Sequence, residues 1–296
     1  MNGFINLLKP AGMTSSDAVM CVKKLLPRKT AVGHGGTLDP DAAGVLPICV
    51  GKATRLFNYI IDKQKTYIGE LALGVTTTTD DAGGEILSVR EAVVSEDDIG
   101  KVLPRFIGDI EQVPPMYSAL KRDGVALYKL ARKGETVELE SRTVHIESIR
   151  LLRKTGKDKY LLEIVCGKGT YIRSLMRDIG AELGCGGHMS FLLRSQSGIF
   201  KSDDAITIEE LRSLESIESA LFPMDYPLGA FAKAEVKSEY RMNIINGQPF
   251  TADMLYNELP EAGTAVAIYC GTEFAGMGEV TEENTVRIRA MLLEHP

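Results

Sequence analysis

One loop of the sequence combines a single carboxylate with a high density of glycine. It runs from Gly33 to Ile48, reads G-H-G-G-T-L-D-P-D-A-A-G-V-L-P-I, and places Asp39 between Leu38 and Pro40. Glycine permits backbone conformations that other residues avoid and lets the main chain approach a ligand closely. The loop therefore predicts a fixed carboxylate at a binding surface. Asp and Gly are also ordinary turn formers, so the loop alone is equally consistent with a structural turn.

The composition is that of an ordinary globular protein without a metal site. The 296 residues are 44% hydrophobic and 25% charged, which is enough for one large core or for a large and a small domain. The cysteines form no C-x-x-C pair and the histidines are isolated from one another, so we expect reduced thiols and no metal. These residues are Cys21, Cys49, Cys166, Cys185 and Cys270, and His34, His145, His188 and His295.

The sequence predicts a cytoplasmic protein. Its first residues, from Gly3 to Leu8, read as a strand and lack the basic and then apolar pattern of a signal segment. No apolar run approaches the roughly 18 residues that a membrane span requires. We therefore expect no membrane partner.

The charge distribution qualifies an otherwise acidic composition. A net charge of −6 argues mildly against nucleic-acid binding. The acidity is mostly C-terminal, because the chain after Tyr226 holds five basic and ten acidic residues, against 29 and 30 before it. The segment from Tyr117 to Lys133 is distinctly basic and is either a solvated charged face or a phosphate-binding surface. Its basic residues are Lys121, Arg122, Lys129, Arg132 and Lys133.

Helices and strands alternate along the first two thirds of the chain. Four helices are predicted. The first is amphipathic, begins with a cap at Thr14 and is stopped by Pro27, and the second is short. The third follows a cap at Ser95, and the fourth has an apolar stripe with Arg173 on its flank. Period-two patterns predict strands. The helical segments after the first are Gly51–Ile61, Glu96–Phe106 and Thr170–Leu183, and the strands are Thr66–Leu73, Val144–Arg153 and Tyr160–Cys166.

A domain boundary is expected near Tyr226. Pro223, Pro227 and Gly229 interrupt the chain there, and short strand-like runs separated by Gly and Asn follow from Val236 to Met291. We therefore predict a large domain over residues 1–226 and a small β-rich domain over residues 227–296. Since helices and strands are intermixed in the first part, the fold class is α+β.

Several segments, in order and over roughly Met1 to Phe200, resemble the bacterial TruB-type tRNA pseudouridine-55 synthases. They are the stretch Lys9–Ser15, the Asp39 loop, and Gly169–Arg173. The resemblance implies a pseudouridine synthase fold, with a mixed, mainly antiparallel sheet flanked by helices. It also implies a C-terminal PUA RNA-binding domain, for which the similarity rests on little more than Ile244–Pro249.

The activity implied by the resemblance is the isomerisation of uridine 55 in the T-loop of tRNA. The reaction breaks the bond from C1′ to N1, turns the uracil and joins C1′ to C5, so no atom enters or leaves and no cofactor is expected. The implied partner is the tRNA T-stem-loop, with no guide RNA or obligate protein partner, and we expect a monomer. A non-catalytic tRNA-folding role and a guide-dependent synthase are the alternatives.

The resemblance assigns the catalytic roles to three residues. Asp39 matches the obligatory carboxylate, which either bonds to C1′, adds to the base or removes a sugar proton. Arg173 matches the arginine that pairs with it, and such a pair fixes the carboxylate's orientation and favours its charged form. Tyr67 matches the tyrosine that stacks on the flipped base. From the pattern alone, Arg173 is an exposed helical arginine and Tyr67 an ordinary sheet aromatic.

Four further residues match supporting positions of the family. Asp81 corresponds to an aspartate that supports the arginine, although its sequence context is that of a turn. Leu192 corresponds to an apolar wall of the pocket. His34 corresponds to a histidine that fills the space vacated by the flipped nucleotide, and Lys9 to a lysine that supports the active-site loop.

The segment from about Pro115 to Arg142 resembles the family's mobile insertion, which closes over the RNA. The resemblance implies that its basic side chains contact phosphates and that affinity comes from shape rather than from base reading. The predicted contacts are Lys121, Arg122, Lys129, Arg132 and Lys133.

Overall fold

The structure is a computed structural model that describes residues 1–61, 63–118, 120–122, 125–127, 137 and 139–294. Lys129, Arg132 and Lys133, three of the predicted phosphate contacts, lie outside these residues. Lys121 and Arg122 are described as strand backbone, without their side chains. The predicted phosphate contacts therefore stay a prediction.

A mixed sheet of nine strands forms the larger part of the described chain. Seven strands follow one another in the order β1-β3-β12-β4-β11-β10-β7, while β2 pairs with β3 and β13 with β12. All these pairs are antiparallel except β3 with β12. The strands are β1 (Gly3–Lys9), β2 (Val32–His34), β3 (Ala43–Val50), β4 (Lys65–Leu73), β7 (Gly108–Gln112), β10 (Arg142–Gly156), β11 (Lys159–Cys166), β12 (Gly187–Ser197) and β13 (Phe200–Lys201).

Two short antiparallel pairs lie outside this sheet. They are β5 (Val75–Thr77) with β6 (Ile86–Val89), and β8 (Lys121–Arg122) with β9 (Val125–Ala126). The predicted strands Thr66–Leu73, Val144–Arg153 and Tyr160–Cys166 are present as β4, β10 and β11, and β10 and β11 form the predicted hairpin. The mixed, mainly antiparallel sheet confirms the predicted fold class.

Helices flank the sheet, and two of them begin at caps that were predicted from the sequence. The described α-helices are α1 (Ser15–Lys23), α2 (Phe57–Ile61), α3 (Glu96–Val102), α4 (Ile172–Glu182), α5 (Ile208–Ser213) and α6 (Arg241–Ile245). The capping boxes of Thr14 with Asp17 and Ser95 with Asp98 are both formed. Helix α1 ends at Lys23, four residues before the Pro27 that was expected to stop it, and is followed by a turn in which the Leu25 amide donates to the Val22 carbonyl.

Helix α4 packs on β12 and β4 through the predicted apolar stripe. Ile172, Leu175, Met176 and Ile179 are all buried in the main core cluster. A Cβ at Gly69 of β4 would lie 2.7 Å from the Met176 Cε atom, so the absence of a side chain there gives the helix its close approach. This packing fixes the N-terminal turn of α4, which carries Arg173.

A second sheet of five strands follows the first. Its order is β14-β16-β17-β18-β15, and it forms the β-rich, PUA-like part of the fold. The strands are β14 (Ala232–Val236), β15 (Phe250–Thr251), β16 (Ala265–Cys270), β17 (Glu273–Val280) and β18 (Thr285–Met291). Apolar residues of this part share one core cluster with Leu56 and Ile60 of the first part. None of the described helices is long and apolar enough to cross a membrane.

Candidate active site

The Asp39 loop connects β2 to β3 and is held by the first residue of α1. The buried Ser15 hydroxyl donates to the Leu38 carbonyl at 3.0 Å and accepts from the Leu38 amide at 2.9 Å. Gly36 and Gly44 have φ values of +118° and +119°, a region that favours glycine. Helix α1 therefore anchors the residue before Asp39, and glycines allow the turns on both flanks of the loop, while the Asp39 side chain stays 35% exposed.

Arg173 of α4 binds the Asp39 carboxylate with two parallel hydrogen bonds. Its Nε donates to Oδ2 at 2.9 Å and its Nη2 to Oδ1 at 3.1 Å. The remaining donors reach the carbonyls of Thr79 at 3.2 Å and Tyr117 at 2.9 Å. Arg173 is only 4% exposed, so the interpretation of this residue as an exposed helical arginine is wrong. Two-point pairing fixes the plane of the carboxylate.

Asp81 lies on the far side of the same guanidinium. Its Oδ2 is 3.7 Å from Nη1 of Arg173, while its Oδ1 accepts from the Gly83 amide at 3.0 Å. The Thr77 hydroxyl also donates to the Asp81 carbonyl, at 2.6 Å. Asp81 is therefore a turn residue, as its sequence context indicates, and also a neighbour of Arg173, as the resemblance implies.

A second aspartate–arginine pair lies beside the first. It was not predicted from the sequence. Arg177 donates to Asp80 Oδ2 at 2.8 Å, four residues along α4 from Arg173. Burial raises the pKa of Asp80, and the charge of Arg177 opposes that rise. The signal was available, because the consecutive Asp80 and Asp81 match two arginines on one face of a helix.

Tyr67 and Leu192 face the core from neighbouring strands. Tyr67 lies on β4 between Ile164 of β11 and Arg194 of β12. Leu192 of β12 pairs with Gly69 of β4 and is buried. Burial raises the pKa of Tyr67, so its hydroxyl is neutral near pH 7. The arrangement forms an apolar wall with one phenolic oxygen.

Lys9 supports the loop from β1. Its Nζ is fully buried and donates to the carbonyls of Pro10 at 2.8 Å, Met13 at 2.6 Å and Pro40 at 3.1 Å. Burial lowers the pKa of Lys9 to about 8, although nearby carboxylates, chiefly Asp41, act in the opposite direction. Since Pro40 directly follows the candidate carboxylate, this lysine ties β1 to the loop.

His34 lies at the end of β2, where the loop begins. Its Nδ1 is buried and has no hydrogen-bond partner in the described part of the chain. Burial, assisted by the charge of Arg194, lowers the pKa of His34. The imidazole is therefore neutral at pH 7 and is free to accept or donate one hydrogen bond.

The chain leading into the basic insertion is fastened to the same helix. Gln112 exchanges two hydrogen bonds with the Tyr171 backbone, and the Val113 carbonyl accepts from Ser174 at 2.9 Å and from Arg177 at 3.2 Å. The N-terminal part of α4 thus holds both the start of the insertion and, through Arg173, the candidate carboxylate.

Arg194 is a second buried arginine that the sequence did not reveal. It is 1% exposed and donates to the carbonyls of Gly36 at 3.1 Å, Thr37 at 3.3 Å and Val45 at 2.7 Å. Its burial was missed because no strand was predicted here, although an arginine two residues after Leu192 shares the face of Leu192 on a strand.

Together these residues build a partly exposed carboxylate that is paired with a buried arginine. Asp39 is oriented by Arg173, and the buried side chains around it exclude solvent from one side. Such a carboxylate is equipped to attack a carbon or to remove a proton from a bound substrate. The structure brings Asp39, Arg173 and Asp81 into direct contact, places His34 at the start of the loop, and places Lys9 of β1 against the Pro40 carbonyl of the loop.

Two family models match adjoining parts of the chain. The TruB family pseudouridylate synthase N-terminal domain matches residues 23–172, and the tRNA pseudouridylate synthase B C-terminal domain matches residues 173–229. Among curated relatives, tRNA pseudouridine synthase B of Alkaliphilus oremlandii is 50% identical over 96% of this chain and 95% of its own. That of Clostridioides difficile is 42% identical over 98% of both chains.

Solved structures with the same fold include chains from two larger assemblies. A chain of an H/ACA ribonucleoprotein bound to a substrate RNA containing 2′-deoxyuridine has a TM-score of 0.76 and 27% identity, covering 99% of this chain and 85% of that one. A chain of a Cbf5-Nop10-Gar1 complex has a TM-score of 0.74 and 30% identity, covering 99% and 84%.

Proposed function

The chain belongs to the TruB family of pseudouridylate synthases, which are isomerases, and we propose that it converts uridine 55 in the T-loop of tRNA to pseudouridine. The observation that carries the proposal is the Asp39 carboxylate, held half-exposed by a buried arginine in the family's own aspartate loop. Because the proposed substrate is tRNA, we place the reaction in the cytoplasm.

Asp39 acts at the sugar or the base while the uracil changes its point of attachment. The bond from C1′ to N1 breaks, the uracil turns, a bond from C1′ to C5 forms, and C5 finally loses its proton while N1 gains one. Three roles for the carboxylate remain open, namely bonding to C1′, addition to the base and removal of a sugar proton. Each of them needs the orientation that Arg173 imposes, with Asp81 supporting the guanidinium.

The target uridine must leave the T-loop stack to reach this carboxylate. Base flipping costs a few kcal/mol, which protein contacts must offset. In our proposal Tyr67 stacks on the flipped base, Leu192 lines its pocket, and His34 fills the vacated space. Lys9 keeps the loop in place. The absence of a partner for Nδ1 of His34 among the described residues supports its role, because a nucleotide can supply that partner.

The proposed enzyme works on tRNA without a guide RNA and without a protein partner. The relatives that this chain matches over nearly its whole length carry the name tRNA pseudouridine synthase B, whereas its structural neighbours from H/ACA complexes are at most 30% identical. We assign catalysis to residues 1–226, with a closing insertion at about 115–142, and RNA contact to residues 227–296.

The experiment is an assay of the purified chain, without added factors, on an unmodified T-stem-loop transcript. Release of tritium from uridine labelled at C5 measures the reaction, and mapping of the product identifies the modified position. A transcript with cytidine at position 55 is the control. Formation of pseudouridine only after addition of a guide RNA or another protein would refute guide independence. Tight binding without any product would favour a tRNA-folding role instead.

A further inference from the structure

Arg194 is a buried cation that the proposed chemistry has not used. It is among the largest side chains that are fully buried in the described structure, and no carboxylate of the described residues forms an ion pair with it. Burial of a charge without a counter-ion is costly unless hydrogen bonds compensate. The hydrogen bonds that Arg194 donates must therefore compensate for its buried charge.

The guanidinium of Arg194 holds the Asp39 loop on both of its flanks. Nη2 and Nη1 donate to the carbonyls of Gly36 and Thr37, ahead of Asp39, and Nε donates to the carbonyl of Val45, beyond it. These bonds measure 3.1, 3.3 and 2.7 Å. A planar fork of fixed geometry can satisfy several carbonyls in one arrangement, which defines the distance between the flanks.

The backbone of the same residue joins the loop to the strand that carries the tyrosine. Arg194 pairs with Gly44 of β3 on one side and with Tyr67 of β4 on the other. A Cβ at Gly44 would lie 2.2 Å from the Arg194 carbonyl oxygen, so only glycine permits this contact. A single residue thus connects the Asp39 loop with Tyr67.

The charge of Arg194 acts on groups from several elements around it. These are Lys9 of β1, His34 of β2, Tyr67 of β4 and Cys166 of β11, in addition to its hydrogen-bonded carbonyls. Burial is the largest cause of each pKa shift, and the positive charge of Arg194 lowers the pKa of all four. The arginine is therefore a permanent cation among neighbours that are neutral or can become neutral.

We propose that Arg194 is a positioning residue for the proposed isomerisation, which sets the Asp39 carboxylate and Tyr67 at their working separation. This inference rests on the proposed function. Arg194 acts through the Asp39 loop and through β4, and it needs no contact with the substrate. An error of about 1 Å in the position of a reacting group costs on the order of a hundredfold in rate. Loss of the three-carbonyl clamp should therefore reduce turnover while the RNA-binding surface stays intact.

The test is Arg194→Lys in the full chain, with Arg150→Lys as its matched control. Lysine keeps the charge but is a compact donor that cannot span carbonyls on both flanks. We expect kcat to fall at least about tenfold, KM for the T-stem-loop to stay within about threefold, and thermal unfolding to remain cooperative. Arg150 is exposed and pairs with Glu163 on the hairpin, so its replacement should leave both constants unchanged.

A kcat of Arg194→Lys equal to that of wild type would overturn the inference, and so would a loss explained by the unfolded fraction alone. If wild type itself makes no pseudouridine, the proposed function fails instead. Should Arg194→Lys not fold, Arg194→Gln gives the same comparison of kcat with KM without a buried charge. In the wild-type chain, hydrogen exchange at Arg194 Nε should be slow, and exchange as fast as that of exposed arginines would contradict the clamp.

Discussion

Arg173 and Asp39 are 134 residues apart in sequence, yet the arginine meets both oxygens of the aspartate, with Nε to Oδ2 at 2.9 Å and Nη2 to Oδ1 at 3.1 Å. The guanidinium also binds two backbone carbonyls, so its position is defined by α4 and by the chain on either side of it. This arrangement leaves the carboxylate little freedom to rotate. The orientation of Asp39 is thereby built into the fold before any substrate is bound.

Replacing Asp39 with Asn should abolish turnover. The amide keeps the shape of the side chain but lacks the negative charge that each of the three proposed roles requires. Affinity for the T-stem-loop should change less than roughly tenfold, or about 1.4 kcal/mol, because the contacts to RNA remain. Single-turnover tritium release and a binding titration measure the two effects. The exposed Asp41 lies in the same loop, and Asp41→Asn is the control, for which we expect most of the activity to be retained.

Replacing Arg173 with Lys should reduce turnover substantially although the charge is conserved. Lysine cannot donate in parallel to both carboxylate oxygens, so Asp39 gains rotational freedom. Kinetics on the T-stem-loop should show the loss in kcat more than in KM. The control is Arg105→Lys, because the guanidinium of Arg105 pairs with Glu182 at the opposite end of α4. Wild-type kcat in Arg173→Lys would show that two-point pairing is unnecessary.

The parts of the fold that depend on neighbouring residues in the sequence were predicted. Capping boxes at Thr14 and Ser95 predicted two helix starts, and an apolar stripe predicted the core face of α4. These signals reside in neighbouring residues. The shared cluster between the two sheets was not predicted, because it joins residues such as Leu56 and Met277 that no local pattern connects.

The two missed arginines show why a charged side chain is hard to place from one sequence. Strand β12 lies in the interior of the sheet and contains irregularities between Met189 and Phe191 and between Arg194 and Gln196. Each irregularity interrupts the period of two along the strand, and no strand was predicted there, although Leu192 and Arg194 share the buried face between the two irregularities. Burial of Arg194 is created by three carbonyls from a distant loop, a feature that single-sequence patterns do not contain.

The buried Lys9 should make stability depend on pH above neutrality. Its pKa falls to about 8, from 10.5 in an exposed lysine, because of burial. Between these values the folded chain has released the proton and the unfolded chain still holds it, so the free energy of unfolding rises with pH. Compared with Lys9→Met, wild type should gain up to about 1.4 kcal/mol per pH unit in this window.

Denaturant unfolding at several pH values from about 7 to 10 measures this difference. The exposed Lys23 of α1 provides the control, because Lys23→Met should show no such trend relative to wild type. A difference between wild type and Lys9→Met that stays constant with pH would show that Lys9 titrates as an exposed lysine.

The basic insertion should contribute salt-dependent affinity for RNA. Lys121, Arg122, Lys129, Arg132 and Lys133 are predicted phosphate contacts. Replacing one true contact with Ala should reduce the slope of log affinity against log salt by somewhat under one unit, since fewer counterions are released on binding. Titrations of each variant at several salt concentrations test this. Unchanged slopes and affinities in all five variants would rule out backbone binding by the insertion.

The proposed division of labour predicts that a chain ending at Gly229 keeps isomerase activity on the T-stem-loop and loses affinity only for full-length tRNA. Every proposed chemical residue precedes Phe200, and the buried Leu228 packs in a cluster with Phe4, which favours ending after it rather than at Tyr226. The truncation uncovers apolar residues that the second sheet covers, so its thermal midpoint should fall. A cooperative transition must be shown first.

The control for this last prediction is a full-length chain in which the contact between the two parts is weakened. Lys52 donates to the Leu292 carbonyl at 2.6 Å and pairs with Glu294 at 2.7 Å, while Arg55 donates to the Met291 carbonyl at 2.6 Å. The double variant Lys52→Ala, Arg55→Ala removes these links and keeps the second sheet. It should lose stability and retain kcat. If the truncated chain is folded and monodisperse but inactive at saturating stem-loop, the C-terminal part helps to form the active site, and the two-domain division is wrong.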